Sequence, residues 1–174
     1  MKFEAIGLLP VLLALFSLLF LVVLLSYHTL KRTRKAMEEN LENYWQALRQ
    51  KAQVAIQLAN LIYEKGDYLH SYDLVLKLCS IIQGIDIAWT ERLRAEKSLQ
   101  KEIAIMQELV RNITELSKDT TIQSKAQELQ NLEKQTEALY RKYAYSLKYY
   151  NNFTQKIPSK WVAQIAGFRN ASLQ

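Results

Sequence analysis

Residues 5–25 read AIGLLPVLLALFSLLFLVVLL and hold no charge. As a helix at ~1.5 Å per residue this run reaches about 31 Å, the hydrocarbon thickness of a bilayer. A secretory signal would have a shorter apolar run and a small-residue cleavage site. The following LLSYHTLKRTRK, residues 24–35, offers no such site, so the run is expected to stay as a single-pass anchor with the lipid bilayer as its first partner. Lys and Arg beside a span stay on the cytoplasmic side. Only Lys2 precedes it, next to Glu4, whereas Lys31, Arg32, Arg34 and Lys35 follow it closely. These four set the expected orientation: a short N-terminus outside and the rest of the chain in the cytosol.

That remainder is long enough for one modest domain. Lys2 and Glu4 cancel, so the formal +6 of the 174-residue chain belongs to it. Such a charge suits an anionic membrane surface or a nucleic acid. The membrane is the nearer candidate because the anchor holds four basic residues against the headgroups. Beyond Lys35 the basic residues are interleaved with acids and no groove-reading module occurs, so no nucleic acid is expected. The single cysteine, Cys79, excludes an internal disulfide and a multi-thiolate metal site, and reads as a small core residue.

Between Pro10 and Pro158 there is no proline, and the only glycines are Gly66 and Gly84. A β domain would need many more turn residues, so the chain is expected to be nearly all helix. Met37, Leu41, Tyr44, Leu48, Ala52, Ala55, Leu58 and Ile62 recur at three- and four-residue steps and define one helical face. Nothing between Pro10 and Gly66 stops a helix, so the span is predicted to run on into it. A second stripe holds Leu69, Tyr72, Leu76 and Cys79 and resumes at Leu99, Ile103, Met106, Val110 and Ile113. Between them IIQGIDIAW, Ile81 to Trp89, either bends the helix or is contacted on several sides. The third stripe is Ile122, Ala126, Leu129, Leu132, Thr136, Leu139, Tyr143, Leu147 and Tyr150. SKDTT, Ser117 to Thr121, precedes it and offers Asp119, Thr120 or Thr121 as a helix cap, marking the turn of an antiparallel pair.

Catalysis finds little support. The two histidines, His28 and His70, are far apart in the chain, and no H-E-x-x-H, G-x-S-x-G or phosphate-loop glycines occur. His28 falls at the membrane interface; His70, near Asp67 and Asp73, reads as a solvated helix-surface residue. No Glu-x-x-His pair supports a carboxylate-bridged metal site. Glu38, Glu39 and Glu42 read as solvated i,i+4 partners of their neighbours. No catalytic, cofactor-binding or metal residue is expected, and the protein reads as a non-enzyme.

The C-terminal string YAYSLKYYNNFTQKIPSKWVAQIAGF, Tyr143 to Phe168, resembles the end of the LemA family. There a tyrosine-rich helix closes with Tyr-Asn, then a proline seven positions on, then an alanine and a Gly-Phe. Tyr143, Tyr150, Asn151, Pro158, Ala163, Gly167 and Phe168 keep this pattern, and Glu128-Leu129 and Glu133 fall where the family has an acidic, leucine-containing helix. Trp45 to Ile62, WQALRQKAQVAIQLANLI, is similar to the family's tryptophan-led helix, with Ala59 in place of a proline and the spacing one residue short. The resemblance implies a bacterial protein with one N-terminal span, a helical domain and no established enzymatic activity. Some members are linked with envelope stress or membrane proteases, and one branch with the magnetosome membrane. The resemblance also places Gly66 near a glycine inside a helix, leaving open whether Gly66 is a turn or a helix interior.

Surplus apolar groups suggest contacts. Trp45 lies off the first stripe, Tyr145 and Tyr149 lie off the third, and Trp161 and Phe168 sit in a separate tail, which either caps the bundle or touches the membrane or a neighbouring protomer. The expected fold is all-α: transmembrane helix over 1–27, an antiparallel bundle of long helices over 28–157, and a short amphipathic helix and tail over 158–174. The expected role is a self-associating scaffold of the bacterial inner membrane or a membrane derived from it. The alternative is an adaptor or regulator acting on another membrane protein, such as a protease, or in a stress response.

Overall fold

The computed structural model describes residues 3–171 apart from Asp67 and Leu69, with side chains from Pro10 onward. Lys2, Asp67 and Leu69, each used in the expectations above, lie outside the described residues. Within them the helices are α1 (Phe3–Lys65), α2 (Tyr72–Gln83), α3 (Trp89–Asn112), α4 (Thr114–Lys118), α5 (Thr120–Gln155) and α6 (Ser159–Ile165). No strand occurs among the described residues, and the fold is all-α. The uncharged run does continue as helix to Lys65. Gly66, at φ 157°, follows the helix end and lies outside it. A Cβ there would come within 2.8 Å of the Tyr68 ring, so the position leaves room for that ring to turn back. The Tyr68 hydroxyl then donates to Glu115 at 3.0 Å.

The region expected as one bundle over 28–157 divides into two compact units. One holds Leu41–Lys142, and the other holds α1 up to Asn40 together with the chain from Tyr143 onward. In the first, Tyr72 donates to Asn60 at 2.8 Å and stacks on Tyr63, so α2 runs back along α1. Tyr44 donates to Glu96 near the start of α3, and Tyr68 reaches Glu115 beyond its end, so α3 runs with α1. Tyr44 meets the Tyr140 ring at 5.5 Å while Lys65 pairs with Asp119 at 2.8 Å, so α5 runs against α1. The result is an up-down-up-down four-helix arrangement.

The first and third stripes are its core: Tyr44, Leu48, Ala52, Ala55, Leu58, Ile62, Ile122, Leu129 and Leu132 are buried. In α2 the buried face is Val75, Leu78, Cys79 and Ile82, while Tyr72 and Leu76 are only half-buried. The α2 half of the expected second stripe is therefore rotated, because α2 is covered by both α1 and α3, whereas its α3 half holds: Leu99, Ile103, Met106 and Val110 are buried, with Ile113 half-buried. Burial pushes the Cys79 thiol up to about 12, in keeping with a small core residue. The segment from Ile81 to Trp89 is not a bend in one helix: Ile81 to Gln83 finish α2, residues 84–88 reverse the chain, and Trp89 opens α3. The Arg92 guanidinium donates to the Gly84 and Ile85 carbonyls, 2.6 Å each, and so satisfies the end that α2 leaves open. The turn at Ser117 to Thr121 forms as read. Asp119 accepts from the Thr121 and Ile122 amides at 2.9 and 3.2 Å and caps α5. Lys65 beside it, with those amides, holds the Asp119 carboxyl below its usual range.

In the second unit α1 buries Ser26, Leu30 and Met37 and α5 buries Tyr143, Leu147, Tyr150 and Thr154, both at helical spacing. Tyr150 lies in the field of Arg34 and Glu38, and Phe168 rests edge-on against Tyr27 at 5.8 Å. Helix α6 adds Ser159, Val162 and Ala163 to this core.

Candidate membrane and interaction surfaces

Every residue of α1 from Pro10 to Leu25 except Val22 is exposed, and α1 is the one helix among the described residues long and apolar enough to cross a membrane. Beyond it Lys31, Arg32, Arg34 and Lys35 are all exposed. Arg34 pairs with Glu38 at 2.8 Å and Lys35 with Glu39 at 3.6 Å, the i,i+4 geometry expected of the acidic run. Such pairs are solvated and hold little stability, so all four cations remain available to a charged surface. His28 is exposed and edge-on to Tyr27, and His70 is exposed in the turn before α2 rather than on a helix. Among the described residues no group of His, Cys, Asp or Glu has metal-holding geometry.

The tail is built by the motif residues. Gly167, at φ 74°, is the left-handed residue that ends α6, and the Phe168 amide reaches back to the Ala163 carbonyl at 2.9 Å. This is the Schellman arrangement, which explains the glycine at Gly167. Past it the chain is held by α5. The Tyr150 hydroxyl donates to the Arg169 carbonyl at 3.0 Å. The Asn151 side-chain amide donates to the Ala171 carbonyl and accepts from the Ala171 N–H, at 2.7 and 2.9 Å. Thr154 adds a bond to Asn170 at 2.6 Å.

On its other side α6 forms an apolar groove of about 520 Å³ with α1, bounded by Leu19, Val23 and Tyr27 on α1 and Trp161, Val162 and Ile165 on α6. Trp161 is 57% exposed and Ile165 is 88% exposed.

Tyr145 and Tyr149, 71% and 49% exposed, stack on one another, and Tyr149 stacks in turn on Phe153. This ladder runs along α5, and the half-buried Phe153 joins it unforeseen at the next i,i+4 step. Trp45 does not belong with these residues. It is 7% exposed, packs edge-on against Trp89 at 4.6 Å, and carries the Arg92 guanidinium over its ring at 4.8 Å. Its place off the stripe is covered by α3, so it is core. Phe168 is half-buried against Tyr27, an internal contact.

A buried polar cluster escapes the sequence reading. Lys51 is 2% exposed, with its ammonium 3.9 Å from Glu96, and Glu96 also accepts from the Tyr44 hydroxyl at 2.5 Å. Burial and the neighbouring carboxylate push that hydroxyl far above its ordinary range. The available signal was a lysine at helical spacing between Leu48 and Ala55 on an otherwise apolar face.

No curated protein and no solved structure matches the chain significantly. The model of the LemA family matches residues 80–174, a stretch that contains the tail motif from Tyr143 to Phe168 and leaves Trp45 to Ile62 outside. That stretch is more than half of the 174 residues, and the chain belongs to the LemA family.

Proposed function

We propose that this protein is a non-enzymatic, membrane-anchored interaction protein of the bacterial inner membrane, or a membrane derived from it, that assembles with copies of itself. The observation that carries the reading is the exposed Tyr145 and Tyr149 pair, continued by the half-buried Phe153, on a chain whose α1 presents a long apolar surface. Tyrosine combines apolar area with a polar tip and is favoured at contacts between proteins. An anchor confines all copies to two dimensions and one orientation, which lowers the cost of side-by-side association. In lipid discs the intact chain is expected to form a homomeric particle, and Tyr145→Ser with Tyr149→Ser to reduce it to monomer without loss of helical content. A wild-type chain that stays monomeric at high density overturns self-association. A monomer that co-purifies with one other membrane protein would favour the adaptor role.

The charge asymmetry across the run supports a cytosolic domain. A cytosolic reporter fused after Gln174 is expected to be active, and replacing Lys31, Arg32, Arg34 and Lys35 with glutamine to give mixed orientation. An active exported reporter in the wild type, or an unchanged single topology in the variant, refutes the assignment.

A further inference from the structure

The apolar run of α1 ends at Leu25, and the first cation is Lys31, about 9 Å further along the helix. Leu19 lies about 9 Å before Leu25. The groove between α1 and α6 therefore flanks the final third of the run. If α1 crosses the bilayer, this level is the acyl region of one leaflet together with its glycerol boundary, the depth at which amphipathic helices settle, about 5–10 Å into the headgroup and acyl boundary. Helix α6 is apolar on the matching edge. Trp161 and Ile165 line the groove yet stay largely exposed, and Ile157 just before the helix is 65% exposed. Its other edge is polar: Lys160 and Gln164 border a separate cleft with Thr154 and Asn170. Lys156, Lys160 and Arg169 are exposed around it. Tryptophan beside lysine and arginine is the composition of a membrane boundary.

We propose that α6 is a second membrane-contacting element, seated in the same leaflet as the end of the α1 span, with a lipid acyl chain filling the groove and the surrounding cations on lipid phosphates. The inference rests on α1 being a membrane anchor. It specifies lipid rather than a second copy of the chain because the groove is continuous with the exposed face of α1 that lipid must cover. No charged side chain borders that groove.

The chain has three tryptophans, and Trp45 and Trp89 belong to the Leu41–Lys142 unit. The full chain is reconstituted into phosphatidylethanolamine and phosphatidylglycerol vesicles with and without lipids brominated along their acyl chains. Flotation after alkaline wash reports the anchor, and tryptophan emission reports contact with the brominated chains. Wild-type protein is expected to float and to lose emission on bromolipid, and Trp161→Phe to float equally and to lack that loss. Equal flotation with the same quenching in both proteins places Trp161 out of the bilayer, against water or a neighbouring copy, and overturns the inference while the anchor stands. Protein that fails to float removes the anchor, and the inference with it.

Discussion

Leu129→Ala is expected to lower the stability of the Leu41–Lys142 unit by about 2–5 kcal/mol, through lost transfer energy and the cavity left behind. Leu129 is fully buried within the core cluster that also contains Leu58, Leu99 and Ile103, so helices on several sides would have to move to close the gap. Close-packed interiors relax only in part around such a deletion. Leu132→Ala, at 5% exposure, belongs to the same class, whereas the half-buried Leu76 should tolerate truncation better. Chemical denaturation of the full chain in detergent, followed by ellipticity, measures the difference. A loss below about 1 kcal/mol at Leu129 would contradict the packing described for this unit.

The second large effect concerns charge. Glu96→Leu removes the carboxylate shared by Lys51 and Tyr44 and leaves a buried ammonium and a buried hydroxyl without that acceptor. Removing one partner of a buried pair costs more than the pair contributes, since the remaining ion stays desolvated. A loss of about 3 kcal/mol is expected, at the low end of the range for such deletions because Glu96 keeps some access to water. Lys51→Met combined with Glu96→Leu should recover the part due to the stranded ammonium, since apolar replacement of both ions is often neutral, and leave the cost of the Tyr44 hydroxyl without its acceptor. A double-mutant cycle reads the coupling directly. If the double variant is as unstable as the sum of the singles, the two residues do not act as a pair.

The periodic parts of this fold were legible. The stripe from Met37 to Ile62 and that from Ile122 to Tyr150 are set by one helix each, and a single buried face produces a regular period. The cap was legible as one of Asp119, Thr120 or Thr121 because capping is local, and the structure selects Asp119, whose carboxylate meets the amides two and three positions on. Features that depend on which helix lies opposite were not. Trp45 reads as surplus only if α1 has a single covered face, and Trp89 and Arg92 from α3 cover another. The reversal at Gly84 depends on Arg92, on the next helix, reaching back to two carbonyls. The groove between α1 and α6 joins segments more than a hundred residues apart, and no local pattern places Trp161 beside Leu19. The Tyr145 and Tyr149 surface was visible because those residues fall off a stripe that α5 does bury.

The bonds that fix the tail go to main-chain atoms at Arg169 and Ala171. Asn151 pairs with the Ala171 peptide as a neighbouring strand would, using a side-chain amide in place of a backbone one. A latch of this kind is blind to the side chains it fastens. Mutational drift is thus free to rewrite Arg169 and Ala171 with any residue that keeps its N–H, while the Tyr150-Asn151 pair that does the fastening has no such freedom. A family signature would then persist on the helix and fade along the segment it holds.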